Sequence, residues 1–285
     1  MKIAVFGAGG YIGKRLTEKF RRIGLEVVCY SNAVGGVFDQ ESGLLSDNVD
    51  IPRNVDCSIY LSQSPYYRQM PEKAGHLWGV NVLSAMKVAE MSRQAGVPQF
   101  IYASTGNVYS PSFSPLKEDF PVRRNDWYAL SKVHAEEGLA LYRSDMSITS
   151  VRIFVIYGPD QTNKLVPNLV KSIRTGIPIM LAPKVDDSEN CGLRVSLCYI
   201  DDVVDIITQL LGKNAPDLIN IAGSEVLSIR HIAKQIGEQL AISPKFEISN
   251  QPRGFDLVAD VTKLVELYNP IFTPFSEGIR RTLEV

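Results

Sequence analysis

A glycine run just behind the first predicted strand constrains this chain more than any other feature. Residues 2–6 are mostly apolar and predict a buried strand, and a helix is predicted over 14–22. A glycine turn between a first strand and a helix lets the backbone approach a pyrophosphate, which the helix N-terminus attracts. An incidental glycine-rich turn is the alternative, but this placement favours a nucleotide-binding loop. Its candidate contacts are Gly7, Gly10, Tyr11, Ile12 and Gly13.

The second predicted strand, 26–30, ends in residues that leave the form of a bound dinucleotide open. An acidic residue at this place usually holds the ribose of NAD, whereas a nearby arginine favours the 2′-phosphate of NADP. The chain has Ser31 and Asn32 there, so NAD and NADP are both retained as cofactors. Asp39 ends a third predicted strand that begins at Gly35, and it either faces the adenine or caps a turn.

Alternation of strands and helices continues to about residue 159. Strands are predicted at 55–62, 100–103 and 148–156, and helices at 76–94 and 125–137. This alternation predicts a doubly wound parallel sheet with right-handed crossovers. Farther on we expect helices at 165–175 and 228–240, strands at 177–181 and 218–222, and a polar, mobile loop at 182–192. Because ligands bind at the carboxyl ends of parallel strands, the exit residues Leu61, Ser62, Gln63, Ser104, Thr105 and Asn107 are candidate contacts.

A tyrosine and a lysine one helical turn apart provide candidate chemistry. Tyr128 and Lys132 share a face of the helix that Asn125 or Asp126 can cap. A nearby cation stabilises a phenolate and lowers a tyrosine pKa from its usual value of about 10. Tyr128 is therefore a candidate general acid/base, although an ordinary tyrosine and a solvated lysine would show the same short pattern.

Composition excludes several classes of protein. The formal net charge of −1 gives no global field for nucleic acid or an anionic membrane. The four cysteines show neither metal-binding spacing nor a companion histidine pattern, which predicts no metal site and free thiols in a reducing compartment. The N-terminus lacks a signal-peptide pattern, and no apolar run approaches the roughly 20 residues of a membrane span. We expect a cytoplasmic protein.

These motifs, in this order, resemble the extended short-chain dehydrogenase/reductases of the NAD-dependent epimerase/dehydratase family. The resemblance is carried by the glycine loop, Asn81-Val82, Ser104-Thr105-x-x-Val108-Tyr109, Tyr128-x-x-Ser131-Lys132, Tyr157-Gly158-Pro159, Tyr199-Ile200-Asp201-Asp202 and residues 277–282. It implies an α/β fold: a Rossmann-type doubly wound parallel sheet with a smaller, mostly C-terminal substrate-binding domain. The implied NAD(P)-binding domain covers 1–159 with a return segment at about 199–223. The implied substrate-binding domain covers about 160–198 and 224–285.

The resemblance also implies roles for individual residues. Tyr128 is the acid/base on a sugar hydroxyl or keto oxygen, Lys132 binds the nicotinamide ribose, and Thr105 bonds the reacting oxygen. Asn81 supports the cofactor side of the site. The implied substrate is a nucleotide sugar, contacted by Thr105, Asn107, Lys164, Leu165, Arg194 and Arg253. Arginine suits the diphosphate because its planar fork makes bidentate contacts with phosphate oxygens.

The chain departs from the family pattern at three places, and one of them bears on the type of reaction. Arg194 stands one residue early for its role, and Val155 replaces an expected asparagine. Gly106-Asn107 stand where dehydratases carry an acidic pair, which disfavours elimination chemistry. The leading hypothesis is an NAD(P)-dependent nucleotide-sugar epimerase acting at the 4-position through a keto intermediate. The alternatives are an NAD(P)H-dependent reductase of a nucleotide-linked keto-sugar and a non-catalytic NAD(P)-binding regulator.

By the same resemblance, we expect a homodimer formed through the helices at 77–94 and 127–142. Val80, Leu83, Met86 and Met91 are apolar residues that serve either that contact or the protein's own core.

Overall fold

The computed structural model describes residues 1–32, 36–185, 191–212 and 215–284. It forms two compact units, each assembled from three segments of the chain. The first comprises Met1–Tyr109, Pro121–Arg152 and Val204–Ile219, and the second comprises Ser110–Phe120, Ile153–Val203 and Asn220–Val285. Two predictions fall partly outside the described residues: Gly35 of the third strand, and residues 186–190 of the predicted loop.

The elements are numbered here in chain order. The strands are β1 (Lys2–Phe6), β2 (Glu26–Tyr30), β3 (Cys57–Tyr60), β4 (Gln99–Thr105), β5 (Ser147–Ile153), β6 (Val155–Tyr157), β7 (Ile179–Leu181), β8 (Arg194–Tyr199), β9 (Leu218–Ile221), β10 (Val226–Ser228) and β11 (Phe246–Ile248). The α-helices are α1 (Tyr11–Arg22), α2 (Ala74–Trp78), α3 (Ser84–Gln94), α4 (Trp127–Ala140), α5 (Leu165–Thr175), α6 (Ile200–Gln209), α7 (Ile229–Leu240), α8 (Thr262–Tyr268) and α9 (Phe275–Leu283). Among the described helices, none is long and apolar enough to cross a membrane.

Among the described residues, a six-stranded sheet with the order β2-β1-β3-β4-β5-β9 dominates the first unit. Strand β1 pairs in parallel with β2 and β3, and β3 pairs in parallel with β4. Every residue of β3 and β4 is buried, as expected where helices cover both faces of a parallel sheet. The predicted fold class is confirmed.

The predicted long helix at 76–94 is interrupted by a π-helical turn at Gly79–Leu83. A Cβ on Gly79 would lie 2.0 Å from the carbonyl oxygen of Ser42, so only glycine allows this close approach. The same turn carries Asn81, whose side chain is fully buried. π-turns inside α-helices are frequent at functional sites, and this one supplies a predicted site residue.

The second unit contains smaller sheets around helices α5, α7, α8 and α9. Strands β10, β8 and β6 form one sheet, and β11 pairs with β7 in another. Helix α5 has its predicted bounds, and Ser228 caps α7 as predicted by accepting the His231 N–H at 3.2 Å. Strand β8 is absent from the sequence prediction.

Two strand predictions are wrong. Within the described residues 36–39 there is no third strand: Phe38 forms only an isolated bridge with Leu45, because the side chain of Asn32 accepts its N–H at 2.8 Å. The single strand predicted at 148–156 is two strands. At Phe154 the chain leaves the large sheet, and β6 pairs with β8 instead.

Candidate active site

Tyr128 stands in the first turn of α4, where Asp126 fixes the start of the helix. The Asp126 carboxylate accepts the Ala129 N–H at 2.8 Å, which is the predicted cap. The Tyr128 hydroxyl donates to Gln63 Oε1 at 2.9 Å and also bonds with the Thr105 side chain. Three residues predicted from separate parts of the sequence therefore meet at one phenol oxygen.

Lys132 lies one turn further along α4 and is almost completely buried. Its ammonium donates to the Ala103 carbonyl at 2.8 Å and lies 4.8 Å from the centre of the Tyr102 ring. Burial lowers the pKa of Lys132 to about 7, against a smaller opposing effect of Glu136. Lys132 is thus poised between its charged and neutral forms near neutral pH.

The expectation that Lys132 lowers the pKa of Tyr128 is wrong. Burial raises the pKa of Tyr128 above its usual range, and the bond with Thr105 opposes this only in part. The ammonium of Lys132 faces the Ala103 carbonyl and the Tyr102 ring. Desolvation of the phenolate is therefore the dominant effect.

Three consecutive residues of β4 bond to three residues on one face of α4. The Ala103 carbonyl accepts from Lys132, the Ser104 hydroxyl donates to Glu136, and the Thr105 side chain bonds with Tyr128. These contacts fix the register of the helix against the strand. Because its one hydroxyl proton goes to Glu136, Ser104 can offer a cofactor only its oxygen lone pairs.

Glu136 forms a buried ion pair that the sequence analysis missed. Its carboxylate accepts from Arg152 Nη2 at 2.7 Å and from Arg152 Nε at 3.1 Å. Arg152 in turn lies with its guanidinium carbon 4.7 Å from the centre of the Tyr109 ring. The sequence does carry one signal for Glu136, because Tyr128, Lys132 and Glu136 recur at intervals of four residues.

Asn81 links the loop after β3 to the first turn of α4. Its Oδ1 accepts the Ser64 N–H at 3.2 Å, and its Nδ2 donates to Ser131 Oγ at 3.0 Å. Ser131 Oγ then donates to the Tyr128 carbonyl at 2.8 Å. These contacts give Asn81 a positioning role for Tyr128.

The glycine loop has the geometry of a cradle for an anionic group. Gly7 has a φ of +89°, and a Cβ on Gly13 would lie 2.2 Å from the Gly7 carbonyl oxygen. The loop and helix α1 can therefore approach only because both residues are glycine. The Lys14 N–H donates to the Gly10 carbonyl at 3.0 Å, so the N-terminal turn of α1, with Tyr11, Ile12 and Gly13, directly follows the glycine loop.

The other predicted cofactor residues differ in their surroundings. Ser31 lies beside the loop, since a Cβ added to Gly9 would be 3.2 Å from the Cβ of Ser31. Asn32 binds Phe38, and Asp39 caps a turn by accepting the Ser42 N–H and hydroxyl, both at 2.7 Å. Of the two roles predicted for Asp39, facing the adenine or capping a turn, the structure shows the turn cap.

Ser62 has the surroundings expected of a ligand contact. Its hydroxyl is buried and has no partner among the described residues, and a Cβ on Gly7 would lie 3.1 Å from it. An orphaned buried hydroxyl beside a glycine cradle fits a bound polar group. Leu61, just before it, is half-buried. In the described part of the chain, no cluster of three or more His, Cys, Asp or Glu side chains could hold a metal.

In the second unit, Asp256 brings Arg194 and Arg253 together. Asp256 Oδ1 accepts from Arg253 Nε and from the Arg194 N–H, both at 2.9 Å. The Phe113 ring lies beside them, with Arg253 Cζ 5.8 Å and Lys184 Nζ 4.4 Å from its centre. The sequence analysis missed Asp256, Phe113 and Lys184. Lys164 and Leu165 open helix α5, where Lys164 is exposed.

Comparisons with known proteins identify the family of the chain. Residues 3–222 match the family model described as the NAD dependent epimerase/dehydratase family. An uncharacterized UDP-glucose epimerase, YtcB of Bacillus subtilis, is 25% identical over 98% of this chain and 96% of its own. A putative UDP-glucose 4-epimerase of Methanocaldococcus jannaschii is 22% identical over 99% and 97%.

Solved structures share the fold. The UDP-glucuronic acid 4-epimerase of Bacillus cereus, solved in complex with UDP-glucuronic acid and NAD, has a TM-score of 0.83 and is 22% identical to this chain. The comparison covers 100% of this chain and 98% of that one. At this identity the likeness establishes the common fold. The family inferred from the sequence motifs is confirmed by the match over residues 3–222.

Proposed function

The chain belongs to the NAD dependent epimerase/dehydratase family, and from this premise we propose that it is an NAD-binding nucleotide-sugar epimerase acting at the 4-position of the sugar. The observation that carries the proposal is the meeting of Tyr128, Thr105 and Gln63 at one phenol oxygen, with buried Lys132 in the next turn. The full-length relatives named for UDP-glucose epimerisation support the same reaction.

Tyr128 moves the proton at the sugar oxygen. Its hydroxyl already makes the two bonds that a reacting hydroxyl needs, one to Gln63 and one to Thr105. A sugar oxygen that displaces Gln63 meets both Tyr128 and Thr105, so proton removal and return occur at one place. When bound, NAD would supply the hydride acceptor and a positive charge that would favour the phenolate, against the burial that raises the pKa of Tyr128.

The first unit holds the cofactor in this proposal. The glycine loop offers helix N-terminal donors to the pyrophosphate, and the orphaned Ser62 hydroxyl lies beside Gly7. Lys132, which now donates to the Ala103 carbonyl, would hold the nicotinamide ribose. The proposed form of the cofactor is NAD, which the family description supports. Titration of the purified protein with NAD and with NADP tests this preference.

The second unit holds the nucleotide part of the substrate. Lys184 and the Asp256-bound Arg253 lie near the exposed Phe113 ring, which suits a diphosphate joined to an aromatic base, and Arg194 is a further proposed contact. Lys164 and Leu165 are further proposed contacts. Asn107 bonds to Thr105 and brings no carboxylate to the reacting oxygen, which favours epimerisation over dehydration.

We also propose a homodimer. Leu83, Trp127 and Leu141 are exposed apolar side chains on the expected helices and the turn after α4. Val80 is buried in the protein itself, and Met86 and Met91 pack against its core. A Leu83→Glu variant that sediments as a monomer, beside a dimeric parent, supports this contact, whereas a monomeric parent at micromolar concentration contradicts it.

A cytoplasmic location completes the proposal. The four cysteines, Cys29, Cys57, Cys191 and Cys198, are all free thiols, as expected in a reducing compartment. Detection of the native chain in the periplasmic or secreted fraction would contradict this placement.

Proton NMR of a nucleotide-sugar panel tests the reaction. The panel contains UDP-glucose, UDP-glucuronic acid and UDP-N-acetylglucosamine, each incubated with protein and trace NAD. We expect a 4-epimer to form without net reduction of the cofactor. Product formed only from a 4-keto sugar, in step with NADH consumption, would establish the reductase instead. Bound NAD without turnover of any sugar would favour the regulator.

A further inference from the structure

The Glu136–Arg152 pair is the most completely bonded buried ion pair near the candidate site. Glu136 receives two bonds from Arg152 and one from Ser104. Both side chains are almost excluded from solvent, with exposures of 6% for Arg152 and 10% for Glu136. A buried pair is a weak source of net stability, so a role in positioning has to be considered.

Glu136 of this pair and Lys132 stand on the same helix and bond to the same strand. Glu136 is one turn from Lys132 on α4, and the two bond to consecutive residues of β4, Ser104 and Ala103. The other titratable side chain at the ammonium is Tyr102 on β4; Tyr128 stands one turn earlier on α4, and Arg152 on β5 pairs with Glu136. Among these groups, Glu136 alone has a carboxyl group.

We propose that Glu136, held in place by Arg152 and Ser104, is a positioning residue that keeps Lys132 charged and aligned on β4. Without this carboxylate, the ammonium has only a carbonyl and an aromatic ring to offset its burial, and Arg152 repels it. The direction in which burial and Glu136 act on the pKa of Lys132 agrees with this role. The inference deepens the proposed function, since the charge of Lys132 matters there for ribose binding and proton transfer.

The charge of Lys132 can be measured without any substrate or cofactor. Full-length protein labelled with ¹³Cε-lysine is titrated by NMR, and the Lys132 signal is identified by its loss in Lys132→Met. We expect Glu136→Gln to lower the titration midpoint of Lys132 by about one pH unit or more. The matched control is Glu137→Gln, which removes an exposed carboxylate on the same helix, paired with Arg124, and leaves the midpoint unchanged.

A double variant guards against misfolding. Glu136→Gln leaves Arg152 as an unpaired buried charge, whereas Glu136→Gln with Arg152→Gln replaces the ion pair by two amides. We expect the double variant to fold and to lower the Lys132 midpoint by less than the single variant. An unchanged Lys132 midpoint in a folded variant that lacks the Glu136 carboxylate would overturn the inference, whether or not the protein epimerises any sugar.

Activity adds a second readout once a substrate is known. Because the charged form of Lys132 is the active one, loss of Glu136 moves the alkaline limb of the kcat profile to lower pH. A purely structural role would instead lower kcat equally at all pH values, and that result would overturn the inference.

Discussion

The site on β4 and α4 and the arginine cluster in the second unit are built differently. On β4 and α4, the bonds join residues far apart in the sequence, such as Ala103 with Lys132 and Glu136 with Arg152. In the second unit, Arg253 pairs with Asp256, only three residues away in the same loop, and a backbone N–H of β8 completes the cluster. The first arrangement is held by the register of a helix on a strand, whereas the second centres on one carboxylate. In the proposed function the first is a preorganised reaction site, and in the second a bound diphosphate competes with Asp256 for Arg253.

The largest expected effect distinguishes chemistry from binding. Tyr128→Phe removes the proton-transfer group and keeps the ring contact with Tyr67. We expect kcat to fall by about 10²–10⁴-fold, with NAD affinity almost unchanged. Steady-state kinetics and NAD titration measure the two quantities. The control is Tyr142→Phe, beyond the end of α4, which should leave kcat within about twofold. Retained turnover in Tyr128→Phe would show that another group carries the proton.

In the second unit we expect the opposite kinetic signature. Arg253→Gln loses charge-assisted bonds to the diphosphate, so KM should rise by about 10–100-fold while kcat changes little. Asp256→Asn is the matched variant, because its amide oxygen can still accept from the Arg194 N–H and Arg253 Nε. It should fold and show a smaller change in KM. A fall in kcat without a change in KM for Arg253→Gln would abolish the distinction between the two regions.

The difference in the pH dependence of stability between the parent and a Lys132 variant reports on buried Lys132. Its pKa is about 7 in the folded protein and about 10.4 when unfolded, so the unfolded chain binds more protons between these values. The free energy of unfolding therefore gains up to about 1.4 kcal/mol per pH unit as pH rises through this window, and the gain is absent below it.

Lys132→Met lacks this contribution. Urea unfolding at pH 7, 8 and 9 should show the parent gaining about 2 kcal/mol relative to the variant across that range. Lys87→Met, at an exposed lysine paired with Asp47, should follow the parent at every pH. Parallel pH curves for the parent and Lys132→Met would mean that Lys132 is not buried as described.

The smallest expected effect is the loss of unfolding free energy when either of two helix caps is removed. Asp126→Ala at α4 and Ser228→Ala at α7 each remove one cap bond, so each should cost about 1 kcal/mol of unfolding free energy. Only Asp126→Ala should also lower kcat, because α4 carries Tyr128. Equal effects of the two variants on kcat would show that the position of α4 is not limiting for the reaction.

Local patterns in the sequence were sufficient for much of the fold. The bounds of β1 and α5 and the cap at Asp126 follow from nearest-neighbour patterns, and the structure has all three. The convergence of Thr105 and Tyr128 was implied by the family resemblance, and the end of a parallel strand alone predicted only that Thr105 faces a ligand.

Features that depend on tertiary contacts could not be predicted in this way. At the π-turn Gly79–Leu83, Gly79 packs against the Ser42 carbonyl, which lies far away in the sequence. Phe38 is not part of a strand, and its N–H bonds to the side chain of Asn32. The Glu136–Arg152 pair joins a helix to a neighbouring strand. The wrong expectation of a lowered pKa for Tyr128 has the same origin. The sequence shows that a lysine is near, but it does not show the burial of Tyr128, which is the largest effect on its pKa.

The most direct test of the central claim uses UDP-glucose carrying deuterium at carbon 4. The protein is incubated with this sugar and trace NAD, and the epimer is analysed by mass spectrometry and NMR. Internal return of the same hydride predicts a 4-epimer that retains its deuterium, and no epimer from Tyr128→Phe. An epimer that has exchanged the label with solvent, or equal turnover by the variant, would contradict the account.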